Sequence, residues 1–359
     1  MKRLIFPLVN GLVMAAFFGV VGYYLFDPLR WLLIGAAIGL GVGLLADVVT
    51  RRVSAWFYRR RVTLVVLLEI PLMIFFVGPY TFALAMTRAA NEPVCCQTPA
   101  DFGADYRSVS IPAADGVTLA GWFIPPTAPQ RATVIVLHGG SANRLQSTWY
   151  VEKLAQAGYG VLTYDQRALG ESTGTVQSNG WLDARDIPYV VDFLTAQPEV
   201  DPERIGAAGL SLGAHILIIA GPDEPRIKAF FLDGASIGSV ADLPAPENFA
   251  EQFIVLINQR IEWALRLQLG IDPPPPFRQL ISRLSPRPVL LIVSGLDEIE
   301  RRVGVPYGDV LGENGELWVI ENAHHGGGPR VIPDEYTARM LAFFDHALAE
   351  DNPQGYRLH

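Results

Sequence analysis

The sequence predicts an α/β fold: a mostly parallel sheet with helices on both faces and a helical cap, preceded by three transmembrane helices. Three observations carry this expectation. Short β-branched runs alternate with amphipathic stretches over residues 106–350, the pattern of a parallel sheet with crossover helices. Residues 236–286 interrupt that alternation. Three long apolar runs fill residues 1–90.

Composition narrows the class. The chain has 359 residues, of which 50% are hydrophobic and 18% charged. Its mean hydropathy is +0.26. A disordered chain would be charge-rich and poor in apolar residues. Two cysteines exclude a disulfide scaffold and a Cys-based zinc module. A net charge of −8 argues against nucleic acid, whose binders carry basic faces. The charge is also split. Residues 1–90 hold 9 basic and 3 acidic residues, against 19 basic and 33 acidic in the remainder. An apolar, basic head on an acidic body suggests a membrane anchor carrying a second domain. The expected organisation is an anchor over 1–90, a linker over 91–105, a domain over 106–350 with the insertion 236–286, and a tail over 351–359.

In the anchor, Leu4–Phe26 carries no charge, Leu32–Thr50 only Asp47, and Val62–Thr87 only Glu69. Each is close to the ~20 residues that cross a hydrocarbon core. The first run is too long for a signal-peptide core, and a second run follows it at once. Lys2 and Arg3 precede the first run, and Arg51, Arg52, Arg59, Arg60 and Arg61 lie between the second and third. The positive-inside rule puts these on the cytoplasmic side, so the body is expected to be extracytoplasmic. Gly35, Gly39 and Gly43 share one face of the second run and permit close helix approach, within the anchor or between two copies. Glu69 reads as a structural, hydrogen-bonded carboxyl. Cys95 and Cys96 are adjacent and form no Cys-x-x-Cys motif.

The body opens with Tyr106–Ile111 and Val117–Ile124 around Asp115-Gly116, a hairpin signal. Strands are expected at Thr133–Leu137, Gly160–Tyr164, Ile205–Leu210, Ala229–Leu232, Val289–Val293 and Leu317–Ile320. Helices are expected near Ser147–Ala157, Leu182–Ala196, Leu212–Ala220 and Glu335–Ala349. Within the insertion, Phe249–Leu269 has a long helical pattern and reads as a cap.

Gly209-Leu210-Ser211-Leu212-Gly213 follows a strand and opens a helix. That is the context of a nucleophile elbow, with Ser211 on a sharp turn. A serine needs a base and an orienting acid. Asp297, just after a strand in Ser294-Gly295-Leu296-Asp297, is the expected acid, with Asp233 as its rival. The base comes from His324-His325, after the last strand. An oxyanion needs two fixed donors. The N–H of Leu212 is one; Gly140 in His138-Gly139-Gly140 is the other, with Ser141 as rival. His138 reads as a loop organiser and His215 as structural. Spaced metal ligands are lacking in the sequence, and no metal or cofactor is expected.

Together these residues resemble the α/β-hydrolase superfamily, from roughly Tyr106 to Ala349. His138-Gly139-Gly140, the elbow at Ser211, Asp297 and His325 match its oxyanion loop and triad in order. The motif places the catalytic ring at His325, two residues after Ala323. Asp165-Gln166-Arg167-Ala168-Leu169-Gly170-Glu171-Ser172 is similar to its Asp-x-Arg-Gly-x-Gly-x-Ser loop, with Ala168 in place of the first Gly. Asp115-Gly116-Val117 through Pro125 resembles a branch with serine-aminopeptidase-like and depalmitoylating members. The resemblance implies a serine hydrolase, and with the apolar runs of residues 1–90 the expectation is a membrane-anchored one acting on carboxylic esters or thioesters. A short-peptide peptidase and a non-catalytic scaffold are the other readings. The expected partners are an acyl ester substrate, lipid among the candidates, and the bilayer. The fold alone does not name a substrate, because it hosts many chemistries.

Overall fold

A computed structural model describes residues 5–24, 28–53, 69–88, 93–127, 132–140 and 142–349, together with the isolated positions 56, 60, 63 and 67. The chain divides into two compact units. One comprises Met1–Arg88 with Pro246–Ile271, the other Ala89–Ala245 with Asp272–His359.

The second unit is built on eight strands: β1 (Arg107–Pro112), β2 (Thr118–Ile124), β3 (Thr133–Leu137), β4 (Gly160–Tyr164), β5 (Ile205–Leu210), β6 (Ile227–Asp233), β7 (Val289–Ser294) and β8 (Gly315–Ile320). Their spatial order is β1-β2-β4-β3-β5-β6-β7-β8. β1 and β2 form the antiparallel hairpin, β2 joins β4 antiparallel, and every later pairing is parallel. Asp115 and Gly116 both take positive φ, 58° and 75°, the conformation that tight hairpin turns require.

β3 and β4 are buried along their whole length, as their unbroken apolar runs demand of strands covered on both faces. Alternation sorts the side chains between two cores. Phe230 joins one with Ile135, Leu162, Ile216 and Leu291, while its neighbour Phe231 joins the other with Val134, Leu290, Tyr336 and Phe344. Successive residues of a strand point to opposite faces. The helices that first appear in the two units are α1 (Ile5–Tyr24), α2 (Pro28–Val53), α3 (Gly78–Met86), α4 (Thr148–Gln156), α5 (Ile187–Thr195), α6 (Leu212–Ala220), α7 (Phe249–Leu269), α8 (Phe277–Ser282), α9 (Glu298–Tyr307) and α10 (Pro333–Ala347). The first core takes residues of α5, α6, α8 and α9, the second those of α4 and α10. The segment read as a linker is ordered in part: Thr98 and Asp101 form a reciprocal capping box over Pro99–Phe102, and Phe102 and Ala104 pack against the second core. Cys95 and Cys96 are bonded to each other.

Among the described residues, two helical windows are long and apolar enough to cross a membrane, Leu32–Val49 and Glu69–Met86. Pro7–Gly19 within α1 is a shorter apolar stretch of those described residues. Helix α7, expected as a cap, groups with the N-terminal helices. Its Phe253 ring meets Phe75 edge-on at 5.9 Å and Trp263 meets Phe76 at 6.5 Å. Gln268 donates to the Tyr80 carbonyl and accepts from the Thr87 hydroxyl. Only the flanks of the predicted insertion, 236–245 and 272–286, stay with the sheet.

The glycine stripe packs α2 onto α1. A Cβ on Gly39 would lie 2.6 Å from the Asn10 carbonyl oxygen, and one on Gly43 2.8 Å from Pro7 Cα. Asn10 donates to the Gly39 carbonyl at 2.9 Å and to Glu69 Oε1 at 2.7 Å. Glu69 thus has a partner that the sequence did not reveal. Arg59, Arg61, Ser141, residues 91–92 and the tail 351–359 lie outside the described residues.

Candidate active site

The elbow is forced by its two glycines. A Cβ on Gly209 would meet the Gly213 backbone at 2.5 Å, and one on Gly213 would meet the Leu137 carbonyl oxygen at 2.5 Å. Between them Ser211 takes φ 53°, ψ −112°, a strained conformation for a residue with a Cβ. Its N–H donates to the Asp233 carbonyl at 2.7 Å, which ties the turn to the end of β6. Such strain is held where surrounding structure over-determines it.

Two hydrogen bonds define the site. Ser211 Oγ lies 2.9 Å from His325 Nε2. His325 Nδ1 lies 2.7 Å from Glu300 Oε2. A carboxylate only accepts, so Nδ1 carries the ring proton and Nε2 is left to accept from the serine. The other Glu300 oxygen accepts the Ser294 N–H at 2.6 Å. Glu300 is 1% exposed, and hydrogen bonding to Glu300 raises the pKa of His325 above that of an ordinary imidazole, against the opposing effect of burial.

The expected acid was Asp297, and here the structure differs. Asp297 is the N-cap of α9 and accepts the Glu300 N–H at 2.9 Å. Capping satisfies an orphan N–H of the first turn and aims the Asp297 carboxylate along α9. Glu300, one turn on, faces the histidine. The Asp-x-x-Glu spacing is that of a capping pattern, but it does not say which carboxylate meets the histidine; the side-chain geometry does. The rival Asp233 is turned away: its Oδ2 accepts from Tyr150 at 2.8 Å and Tyr336 at 2.5 Å. Burial pushes its carboxyl up to about 6. Both histidines are exposed, and it is His325 that reaches Ser211.

Asp297, Glu300 and His325 place metal-ligand atoms within 4.8 Å of one another. Both nitrogens of His325 already have partners, so hydrogen bonding accounts for the cluster without an ion.

Gly140 lies beside the elbow: a Cβ there would stand 3.7 Å from Leu212 Cβ. Leu212 opens α6, and the first N–H groups of a helix have no partner within it. The loop bearing Gly140 is held from below. The Gly139 N–H donates to Gln146 Oε1 at 2.7 Å. His138 Nε2 accepts the Gln166 N–H at 3.1 Å, so Nδ1 donates to the Gly139 carbonyl at 2.7 Å. Burial pulls this imidazole down to about 4, and it stays neutral, as a loop organiser must. Three consecutive residues after β4 make these ties. Asp165 accepts from the Arg144 N–H and guanidinium at 2.8 and 2.7 Å, Gln166 holds His138, and Arg167 grips Asp186 through two nitrogens at 2.9 and 2.7 Å. Asp186 in turn accepts the Ala114 N–H of the hairpin at 3.2 Å. Ala168, where the resembling loop has glycine, sits at φ 60°, the left-handed region that explains glycine there.

His215 is buried. Its Nε2 accepts the Ser236 N–H at 3.1 Å, its ring meets Phe277 edge-on, and burial pulls its pKa down to about 4.

Comparison with known proteins agrees with this architecture. Residues 134–339 match the alpha/beta hydrolase family. The solved esterase Pf2001 of Pyrococcus furiosus is similar with a TM-score of 0.57 and 25% identity, covering 73% of this chain and 98% of that one. The uncharacterized protein YfhR of Escherichia coli K12 is 34% identical over 148 residues, 39% of this chain and 51% of that protein. The thiohydrolase apmlB of Arthrinium phaeospermum is 30% identical over 147 residues, 40% of this chain and 45% of that protein. The chain spans about half the length of the curated relatives it matches.

Proposed function

Since the chain belongs to the alpha/beta hydrolase family, we propose that it is a serine hydrolase that cleaves a carboxylic ester or thioester through an acyl-enzyme. The observation that carries this reading is the unbroken relay from Ser211 Oγ through His325 to Glu300, at 2.9 and 2.7 Å. In the proposed cycle Ser211 attacks the acyl carbonyl and its proton passes to Nε2 of His325. Glu300 stabilises the imidazolium and keeps the ring oriented. The N–H groups of Leu212 and Gly140 receive the oxyanion. His325 then protonates the leaving alcohol or thiol. Water, deprotonated by the same ring, releases the acid and restores Ser211. Similarity to proteins named as an esterase and a thiohydrolase favours this acyl chemistry.

The same reading places the enzyme in a membrane through Leu32–Val49 and Glu69–Met86, the two apolar windows. Arg51, Arg52 and Arg60 fall between those windows. With that segment cytoplasmic, Glu69–Met86 delivers the body to the far side.

A fluorophosphonate probe followed by mass spectrometry tests the machinery. Wild type is expected to carry the adduct on Ser211. Labelling is lost in Ser211→Ala and His325→Ala and slowed by about three orders of magnitude or more in Glu300→Gln. It is kept in His324→Ala and Asp297→Asn. An unlabelled, folded wild type overturns the hydrolase reading. Loss in Asp297→Asn with retention in Glu300→Gln returns the acid to Asp297.

A further inference from the structure

Helix α7 lies in the sequence between β6 and β7, yet it groups with the N-terminal helices. Phe249, Phe253, Leu256, Trp263 and Leu267 recur at alternating spacings of four and three, with Arg260 completing the series, so they form one seam along the helix. Phe75 and Phe76 meet Phe253 and Trp263 of that seam and cover them in part, and Arg260 lies over the Phe76 ring. Outside those contacts the seam is open: Phe249 is 82% exposed and Leu267 is exposed too, and Phe253 and Trp263 keep an exposed side. Ile254, beside the seam at its N-terminal end, is likewise exposed.

The surface continues onto the helix that covers it. Ile70, Leu72, Ile74, Phe76, Tyr80 and Phe82 are exposed along the window Glu69–Met86. The two helices run in the same sense, with Phe253 against Phe75 and Gln268 against Tyr80 and Thr87. Phe75 stands about 16 Å along the helix axis from Met86, at 1.5 Å per residue. Its neighbour on α7 is therefore level with a position inside the candidate span, about 9 Å from the Glu69 end. The five residues Phe253–Ile257 carry no charge or polar atom beyond the backbone.

We infer that the N-terminal half of α7 is a lipid-contacting element, whose Phe249, Phe253 and Ile254 rest against phospholipid acyl chains beside the span Glu69–Met86. This rests on the reading of that window as membrane-spanning. Continuity with the apolar face of the window selects lipid over a second copy of the chain as the occupant.

The full chain, reconstituted in phosphatidylcholine vesicles containing a phosphatidylcholine with a diazirine in its acyl chain, tests the inference. After irradiation and digestion, adducts are expected on Phe249–Ile254 as well as on Leu32–Val49 and Glu69–Met86. In Phe249→Asp/Ile254→Asp the α7 adducts disappear while those on Leu32–Val49 remain. Adducts on the two windows but none on α7 overturn the inference and leave the anchor standing. Chain-to-chain cross-links through α7 in place of lipid adducts overturn it in favour of a second copy. Adducts nowhere remove the anchor reading itself.

Discussion

Glu300 and Asp297 stand three residues apart on one helix, and their division of labour is the finest distinction the site makes. Either carboxylate suits an orienting acid by type, and the sequence singles out Asp297 because it directly follows β7. The difference lies in which backbone groups need partners. The first turn of α9 takes the Asp297 oxygen at 2.9 Å, while Glu300 is left with Ser294 N–H and His325. The meeting of Ser211 with His325 was legible because glycines and strand ends fix where they can stand. The acid was not, because the sequence shows two acids within one turn and only side-chain geometry chooses. A pH profile follows. The proposed base, His325, must be neutral to accept the serine proton, and its pKa is raised by hydrogen bonding to Glu300. The acidic limb of kcat/KM for a p-nitrophenyl ester is therefore expected to have its midpoint above the usual imidazole value. In Glu300→Gln the midpoint moves down and the rate falls. In Asp297→Asn the rate stays within about tenfold, since Asn also caps a helix well. An unmoved midpoint in Glu300→Gln contradicts the assignment.

At the scale of elements, strands were read almost to the residue and α7 was read as a helix, while its contacts with Phe75 and Phe76 were not foreseen. Strand burial follows from unbroken β-branched runs, a local property. The partner of an amphipathic stripe is not local. The periodicity of Phe253 and Trp263 says that one face seeks cover, and only the tertiary structure says that Phe75 and Phe76 supply it. The glycine stripe of α2 shows the same limit: its spacing announces a close approach, and the approach is made by α1. This makes a specific expectation. In Gly39→Val the new side chain meets the Asn10 carbonyl at a Cβ distance of 2.6 Å, so the helices must part, at a cost of about 1–3 kcal/mol. Gly41 has nothing within 4 Å of its Cβ position, and Gly41→Val is the matched control. Thermal unfolding in detergent is expected to fall for the first and not the second. Equal melting temperatures would mean that the α1–α2 contact contributes nothing.

For the molecule as a whole, the unit built on the sheet buries two carboxyls in an unusual state. Burial raises Asp183 and Asp233 from 3.8 to about 6. Unfolded, each ionises at its ordinary value; folded, each keeps its proton until about pH 6. Folding therefore takes up protons between these values, and stability falls as pH rises through that window, by about 3 kcal/mol for each group. Asp183→Asn is expected to flatten the fall between about pH 4 and pH 6, measured by thermal unfolding. An identical slope in the variant would refute a protonated Asp183. The division of the chain carries a consequence for biosynthesis. Residues 1–88 leave the ribosome long before Pro246–Ile271, which complete the same unit. At about 5–20 residues per second the interval is roughly 10–30 s. Throughout it Phe75 and Phe76 lack the aromatic rings that later cover them. The nascent helices must be sheltered by whatever surrounds them during that wait, and the hydrolase strands β1–β6 are made while it lasts.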